Sequence, residues 1–398
     1  MRPVRLLSLL LIAAACSRAP LAAPPPLCTG APCALDRLAP LLDSAITAGA
    51  TPGAVIGVSY HRARYLYGAG RLALDDSRRP DGNTVYDLAS LTKVIATTTL
   101  AMQAVSEGRL DLDAPVQRYL PAFRGAGKDR VTVRHLLTHS SGLRADSPLW
   151  RLTPNADSAL AFVNAIRLDT IPGARMVYSD LGAIVLGEVV ERVLGGRLDR
   201  LAAHRIFEPL GMTSTRFRPP ERWLWRVAPT EYDTAWRKRI VRGEVHDEKA
   251  AWLGGVAGHA GLFGSAVDLL SFGEWILLSR TGSQADSRTR AKPSARPPVR
   301  PSVLDEFTRR QNLVPGSSRA LGWDTPSPGS SAGTRLGAGS FGHTGFTGTS
   351  IWIDPSRDLV IVLLSNRVHP TRNNSRIGPL RIAVADAVVG LLDPKPQR

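Results

Sequence analysis

The chain has 398 residues, with 50 Lys+Arg against 34 Asp+Glu and a formal net charge of +16. That length can bury a large core, as one big domain or two interleaved lobes. Nearly all the excess charge is arginine scattered along the chain, with no basic helix interleaved with aromatics, which reads against nucleic-acid binding and leaves attraction to an anionic envelope surface.

Met1-Arg-Pro-Val-Arg5 is a short basic region, and Leu6 to Ala15 is an apolar run too short to span a bilayer. Residues 1–16 therefore read as a signal peptide, and the protein as exported. Cys16 follows three alanines and resembles a bacterial lipoprotein processing site with Cys16 as the lipidated residue, although Ala13 stands where leucine is usual. Ordinary cleavage, for example after Ala23, is the alternative. The expected location is the periplasm, or the membrane of a bacterial envelope by way of that anchor. Residues 17–36 are Ala/Pro-rich at first and read as a tether. Cys28 and Cys33, five apart, are expected to close a small disulfide loop in an exported protein.

Leu35 to Ala48 has helical spacing, broken at Thr51-Pro-Gly53. Ala54–Tyr60 and Arg64–Gly68 read as a hairpin. Leu91 to Glu107 reads as a helix ended by Gly108, and Leu112–Tyr119 and Val133–His139 as short helices. Ala159–Ile166 and Leu181–Leu194 follow as helices. Residues 205–260 read as loop with short strands, and Ala266–Leu278 as helix. Residues 281–302 are rich in Arg, Pro and Ser and read as a mobile insertion, with Ala332–Ser340 a second loose segment. Thr349–Ile353 and Leu359–Leu364 read as strands joined by a turn at 354–358, and Ile377–Leu392 as a closing helix, with 393–398 a tail. The expected fold class is α+β: an antiparallel sheet built from both chain ends, flanked by helices, with an inserted and mostly helical lobe. The folded domain is expected over 37–392, and the site between lobes.

Three short elements carry chemistry. Ser90-x-x-Lys93 opens the helix at Leu91, and residues three apart there share a face, so the amine can sit beside the hydroxyl. A serine needs a neighbouring base, and lysine serves if burial or nearby positive charge lowers its pKa. Lysine occurs at six positions, and only Lys93 has a serine three residues before it. Tyr178-Ser179-Asp180 stands at the mouth of the helix from Leu181, where Asp180 also suits an N-cap. His343-Thr344-Gly345 precedes the strand Thr349–Ile353.

In this order the three elements resemble the serine β-lactamase and penicillin-binding protein superfamily, in its class C-like branch. Glu107-Gly-Arg-Leu-Asp-Leu-Asp-Ala-Pro115, His135-Leu-Leu-Thr-His-Ser-Ser-Gly-Leu143 and Gly342-His-Thr-Gly-Phe-Thr-Gly348 look like that family. Val245-His-Asp247 with Gly254-Gly-Val-Ala-Gly-His-Ala-Gly-Leu-Phe263 looks closest to its penicillin-binding protein 4B-like subgroup. The resemblance implies that Ser90 forms an acyl-enzyme and that Lys93 and Tyr178 handle its proton, either of them as the base. It implies an oxyanion hole from the backbone N–H groups of Ser90 and Phe346, each donor contributing about 3 kcal/mol. Asp180, His343, Thr344 and Gly345 would contact substrate. A DD-carboxypeptidase-like activity on cell-wall peptides follows, with esterase, weak β-lactamase or a non-turnover sensor as alternatives.

The departures are specific. His343 stands where the family usually has lysine, and histidine is charged only part of the time, so activity on carboxylate-bearing substrates is expected to fall as pH rises through its pKa. Asp180 stands where asparagine is commoner, and would pair with Lys93 or repel a substrate carboxylate. His259-Ala-Gly261 is a rival third element, but no strand is expected directly behind it. His246 and Asp247 are candidates to line the cleft. His135 and His139 have the spacing of a helical metal pair without an acidic partner between them, and neither a metal nor another cofactor is expected. The expected partner is a small peptide or ester; the sequence leaves the oligomeric state open.

Overall fold

The computed structural model describes residues 33–280 and 299–393. Cys16, Cys28 and residues 281–298 lie outside it, so the lipidation, the disulfide and most of the insertion fall beyond the described residues. The insertion's last two residues, Pro301 and Ser302, instead open the helix Pro301–Thr308. The tether also ends early, because a 3-10 turn spans Cys33–Arg37 and Leu35 is buried.

The strands are β1 (Gly53–Tyr60), β2 (Ala63–Gly70), β3 (Tyr86–Asp87), β4 (Arg216–Phe217), β5 (Leu262–Gly264), β6 (Phe341–Thr344), β7 (Ser350–Asp354) and β8 (Leu359–Ser365). An antiparallel sheet runs β2-β1-β8-β7-β6, so both chain ends meet at its centre, with Ala54 opposite Ser365 and Tyr60 opposite Leu359. The side chains of β1 and β8 alternate between two apolar cores. Ala54, Ile56, Val58, Leu359, Ile361 and Leu363 pack with the helices Leu38–Thr47 and Ile377–Leu392. Val55, Val360, Val362 and Leu364 face the helix Ala266–Arg280. Burial on both faces explains why β1 and β8 read as nearly unbroken apolar runs. Gly273 lets that helix approach the sheet: a Cβ there would lie 2.5 Å from Val360.

The rest of the chain forms the helical lobe, whose longest member is Asp180–Leu194. The expected helix at Leu112–Tyr119 is only a 3-10 turn, Val116–Arg118, because Pro115 is bridged to Thr132 in an extended pairing. Ala332–Ser340 is not loose: Ala332 is buried and Asp386 accepts hydrogen bonds from the Thr334 and Arg335 N–H groups.

Within the lobe, Glu188 accepts from Asn164 Nδ2 at 3.0 and 3.1 Å, while Asn164 Oδ1 has no partner. Burial pushes the Glu188 carboxyl up to about 7. A raised folded-state pKa gives a contribution that is full below the unfolded value and lost as pH rises through 7. Glu188→Gln removes that penalty and offers Asn164 Oδ1 a donor. It is expected to stabilise the protein at pH 8 by on the order of 2 kcal/mol and to change little at pH 4. Urea midpoints at the two pH values check this; an equal change at both would refute it.

Candidate active site

Strand β3 leads into Ser90, the expected nucleophile. Asp87 is buried, and its Oδ1 accepts from the Ala89 N–H at 2.8 Å while its Oδ2 accepts from the His246 N–H at 2.6 Å. This clamps Ala89 in a left-handed conformation, φ +46°, which an alanine adopts only at a cost of about 1–3 kcal/mol. Ser90 follows at once, half-buried at the head of the helical segment. Lys93–Thr98 is a π-helical turn that continues as the α-helix Thr99–Ser106, a local widening common at functional sites. Lys93 is buried, and its Nζ donates to Ser90 Oγ at 3.0 Å, Asp180 Oδ1 at 2.8 Å and the His259 carbonyl at 3.0 Å.

The second element approaches from the helical lobe. Ser179, not Asp180, caps the helix Asp180–Leu194, accepting from the Gly182 N–H at 3.0 Å. Asp180 is thereby free to face the lysines: besides Lys93, its Oδ2 lies 3.3 Å from Lys249 Nζ. Burial alone would lower the Lys93 pKa, but Asp180 and the Tyr178 oxygen outweigh it and hold the amine above its ordinary value. Asp180 stays ionised for the reciprocal reason: burial would raise it, and the Lys93 charge drives it down. The sequence allowed Lys93 to be a neutral base; this geometry makes it an ammonium. Tyr178 lies over that ammonium, 4.9 Å from Nζ to ring centroid.

The third element is tied to the first by hydrogen bonds. Thr347 Oγ1 donates to the Asp87 carbonyl at 2.7 Å and Thr349 Oγ1 to that of Leu88 at 3.1 Å. Gly345 permits the approach, since a Cβ there would lie 2.5 Å from the Leu88 carbonyl oxygen. The backbone of Phe346 is thus brought beside Ser90, and among the described residues no acceptor pairs with the N–H of either.

His343 does not supply the expected positive charge. Its imidazole is buried among cations, and burial, then Arg319 and Lys93, hold its pKa well below the ordinary value. Nδ1 lies 2.8 Å from the Thr344 carbonyl, so it carries the proton, and Nε2 is left as an acceptor without a partner. The expected fall in activity through a histidine pKa near 6.5 therefore has no group here to produce it.

The cation of the cleft is a residue the sequence reading missed. Ser90, Tyr178, His343, Thr344, Gly345 and Phe346 line a cleft of about 340 Å³, joined there by Arg319, Arg367 and Arg381. Arg367 and Arg381 are used on backbone carbonyls. Arg319 is not: its Nε and Nη1 are buried without a partner, and its guanidinium lies 5.1 Å from the Tyr178 ring centroid. Nothing local marks it, because 312–320 is an irregular segment with no periodicity and Arg319 is one arginine among dozens.

The lower-ranked candidates lie around this cleft. His246 stacks on Phe346 at 5.7 Å and has its Nε2 3.3 Å from Glu231. Asp247 caps the helix Glu248–Trp252 and pairs with Lys249 at 3.1 Å and His259 Nε2 at 2.9 Å. Contrary to expectation, a strand, β5, does stand directly behind His259-Ala-Gly261, in the small sheet β3-β5-β4. That places the His259 carbonyl on Lys93 rather than its ring in the cleft. Asp180, Asp247 and His259 are close enough to share a cation, and the Lys249 ammonium occupies that role. His135 and His139 are engaged separately, with the Thr132 and Ser179 N–H groups.

The Beta-lactamase family profile matches residues 38–386. The chain belongs to the β-lactamase family. It is 30% identical over 334 residues to a protein of Salmonella schwarzengrund (strain CVM19633) named "Putative D-alanyl-D-alanine carboxypeptidase", covering 76% of this chain and 73% of that one. It is 32% identical over 377 residues to a Bacillus subtilis (strain 168) protein named "N-acetylmuramyl-L-alanine amidase", covering 84% and 81%. Among solved structures, a penicillin-binding protein homologue from Caulobacter crescentus matches with a TM-score of 0.72 at 21% identity, over 91% of this chain and 99% of that chain. A class C β-lactamase matches with a TM-score of 0.71 at 21% identity, over 91% and 97%. These likenesses share the α+β fold described above. The protein is a serine hydrolase of the β-lactamase family.

Proposed function

We propose that this hydrolase is a DD-carboxypeptidase-type enzyme that cleaves the terminal amide of a peptide bearing a free C-terminal carboxylate, through an acyl-Ser90 intermediate. The observation that carries the reading is Arg319, a half-buried arginine in the same cleft as Ser90 whose Nε and Nη1 are shielded from solvent without a partner. A buried charge without a partner is costly, and a substrate carboxylate is the group that would complete it. The names of the relatives support amide chemistry on cell-wall peptides.

Ser90 Oγ attacks the scissile carbonyl carbon, and its proton goes to the Tyr178 oxygen, which reacts as its phenolate and becomes the phenol. Lys93, held as an ammonium by Asp180, orients Ser90 Oγ and lowers the cost of negative charge on the Tyr178 oxygen. The Ser90 and Phe346 N–H groups receive the charge that develops on the carbonyl oxygen. As the C–N bond breaks, Tyr178 returns the proton to the departing amine. Water then attacks the ester by the reverse proton path and frees Ser90.

Release of D-alanine from a diacetyl-L-Lys-D-Ala-D-Ala peptide tests this against the same peptide as its C-terminal amide. The acid is expected to be cleaved about 100-fold more efficiently, the worth of a charge-assisted pair to a half-buried guanidinium. Equal rates on acid and amide, with faster turnover of p-nitrophenyl esters, would replace the reading by an esterase.

A further inference from the structure

Lys249 takes no part in the steps above, yet its side chain is buried among carboxylates. Its Nζ lies 3.0 Å from Asp146, 3.1 Å from Asp247 and 3.3 Å from Asp180. Asp146 is largely exposed, so the buried partners are the other two. Contacts then run in a closed loop. Ser90 Oγ meets Lys93, Lys93 meets Asp180, Asp180 meets Lys249, and Lys249 meets Asp247. Asp247 meets the His259 ring, and the His259 carbonyl returns to Lys93. Two ammonium and two carboxylate groups sum to zero, the condition under which such charges can be buried together.

We propose that Lys249 is a positioning residue that acts through Asp180: it shares that carboxylate with Lys93 and sets how readily the base beside Ser90 gives up its proton. The physical reason is charge balance. Without Lys249, Asp180 and Asp247 face Lys93 alone, and the loop carries one net negative charge next to the nucleophile. A negative field stabilises the protonated form of every neighbouring acid, so the base that takes the Ser90 proton stays protonated to higher pH. The other groups facing Lys93 do not offset it near neutral pH. His139 and His343 are held neutral, by burial first and then by Arg319 and Lys93. The His259 ring also faces the loop, 2.9 Å from Asp247.

The inference rests on the acyl-Ser90 reading and is tested on the full chain by the pH dependence of kcat/KM for a p-nitrophenyl ester. Lys249→Met is expected to move the acidic limb up by about two to three pH units, the effect of a unit charge about 4–6 Å away at an effective dielectric near 20. Lys249→Arg restores the wild-type limb. Asp247→Asn keeps an oxygen to cap the Ala250 N–H, removes a negative charge, and is expected to move the limb down. A purely structural role would lower rates at all pH values without moving the limb, and unmoved limbs in the folded Met and Asn variants overturn the proposal. If Lys249→Met does not fold, the downward shift in Asp247→Asn supports it and its absence refutes it. Turnover that survives Ser90→Ala would instead remove the acyl-serine reading and leave this test without its premise.

Discussion

Ser90→Ala is expected to reduce kcat/KM by about four orders of magnitude or more, because in the proposed mechanism its Oγ forms the acyl intermediate. The variant should fold as the parent does. Alanine keeps the Cβ at the start of the helix, the Asp87 clamp on Ala89 is untouched, and Lys93 keeps its contacts with Asp180 and the His259 carbonyl. What disappears is a single oxygen and one hydrogen bond to Lys93, whose net worth is about 1 kcal/mol. A mass shift on incubation with benzylpenicillin should be seen in the parent and be absent from the variant, with thermal midpoints within a few degrees. A variant still acylated, or still turning over within tenfold of the parent, would place the nucleophile elsewhere.

Arg319→Gln is expected to divide activity by substrate. With a free C-terminal carboxylate, kcat/KM should fall by about 100- to 1,000-fold, the cost of leaving one partner of a buried ion pair uncompensated. With a neutral ester the loss should be smaller by about tenfold or more, since no carboxylate contact is removed. The same variant should be more stable than the parent, because it deletes a half-buried guanidinium whose Nε and Nη1 are shielded from solvent without a partner. Loss of activity with a gain in thermal midpoint is an unusual pairing, and a merely structural arginine would give the opposite. Parallel losses on acid and ester substrates would show that Arg319 serves the chemistry and not the carboxylate.

Much of the site was legible because its parts are local. Ser90 and Lys93 are one helical turn apart, and the strands at both chain ends carry patterns that burial enforces. The rest depends on contacts distant in sequence. Whether Lys93 is a base or a cation turns on Asp180, 87 residues away. Asp180 looked like a helix cap, and only the neighbouring Ser179 side chain frees it for that pairing. His343 promised a partial charge because a reference pKa describes a solvated imidazole, whereas here it is buried beside Arg319. The cation itself came from an irregular segment where neither period nor motif gives a signal. Lys249 was legible as a lysine and nothing more, since two of its three partners, Asp146 and Asp180, arrive from distant segments.

The pairing of β1 with β8 sets the order in which the chain can be completed. Gly53–Tyr60 has its inner neighbour only once Leu359–Ser365 exists, about 300 residues later. At roughly 5–20 residues per second, synthesis leaves that apolar strand waiting for about 15–60 s with only its hairpin partner β2. The helical lobe, built from the intervening residues, can form during that interval, but the sheet centre cannot. The last step of assembly is therefore closure of the two ends around the lobe, and until then the β1 edge is open to pairing with another chain.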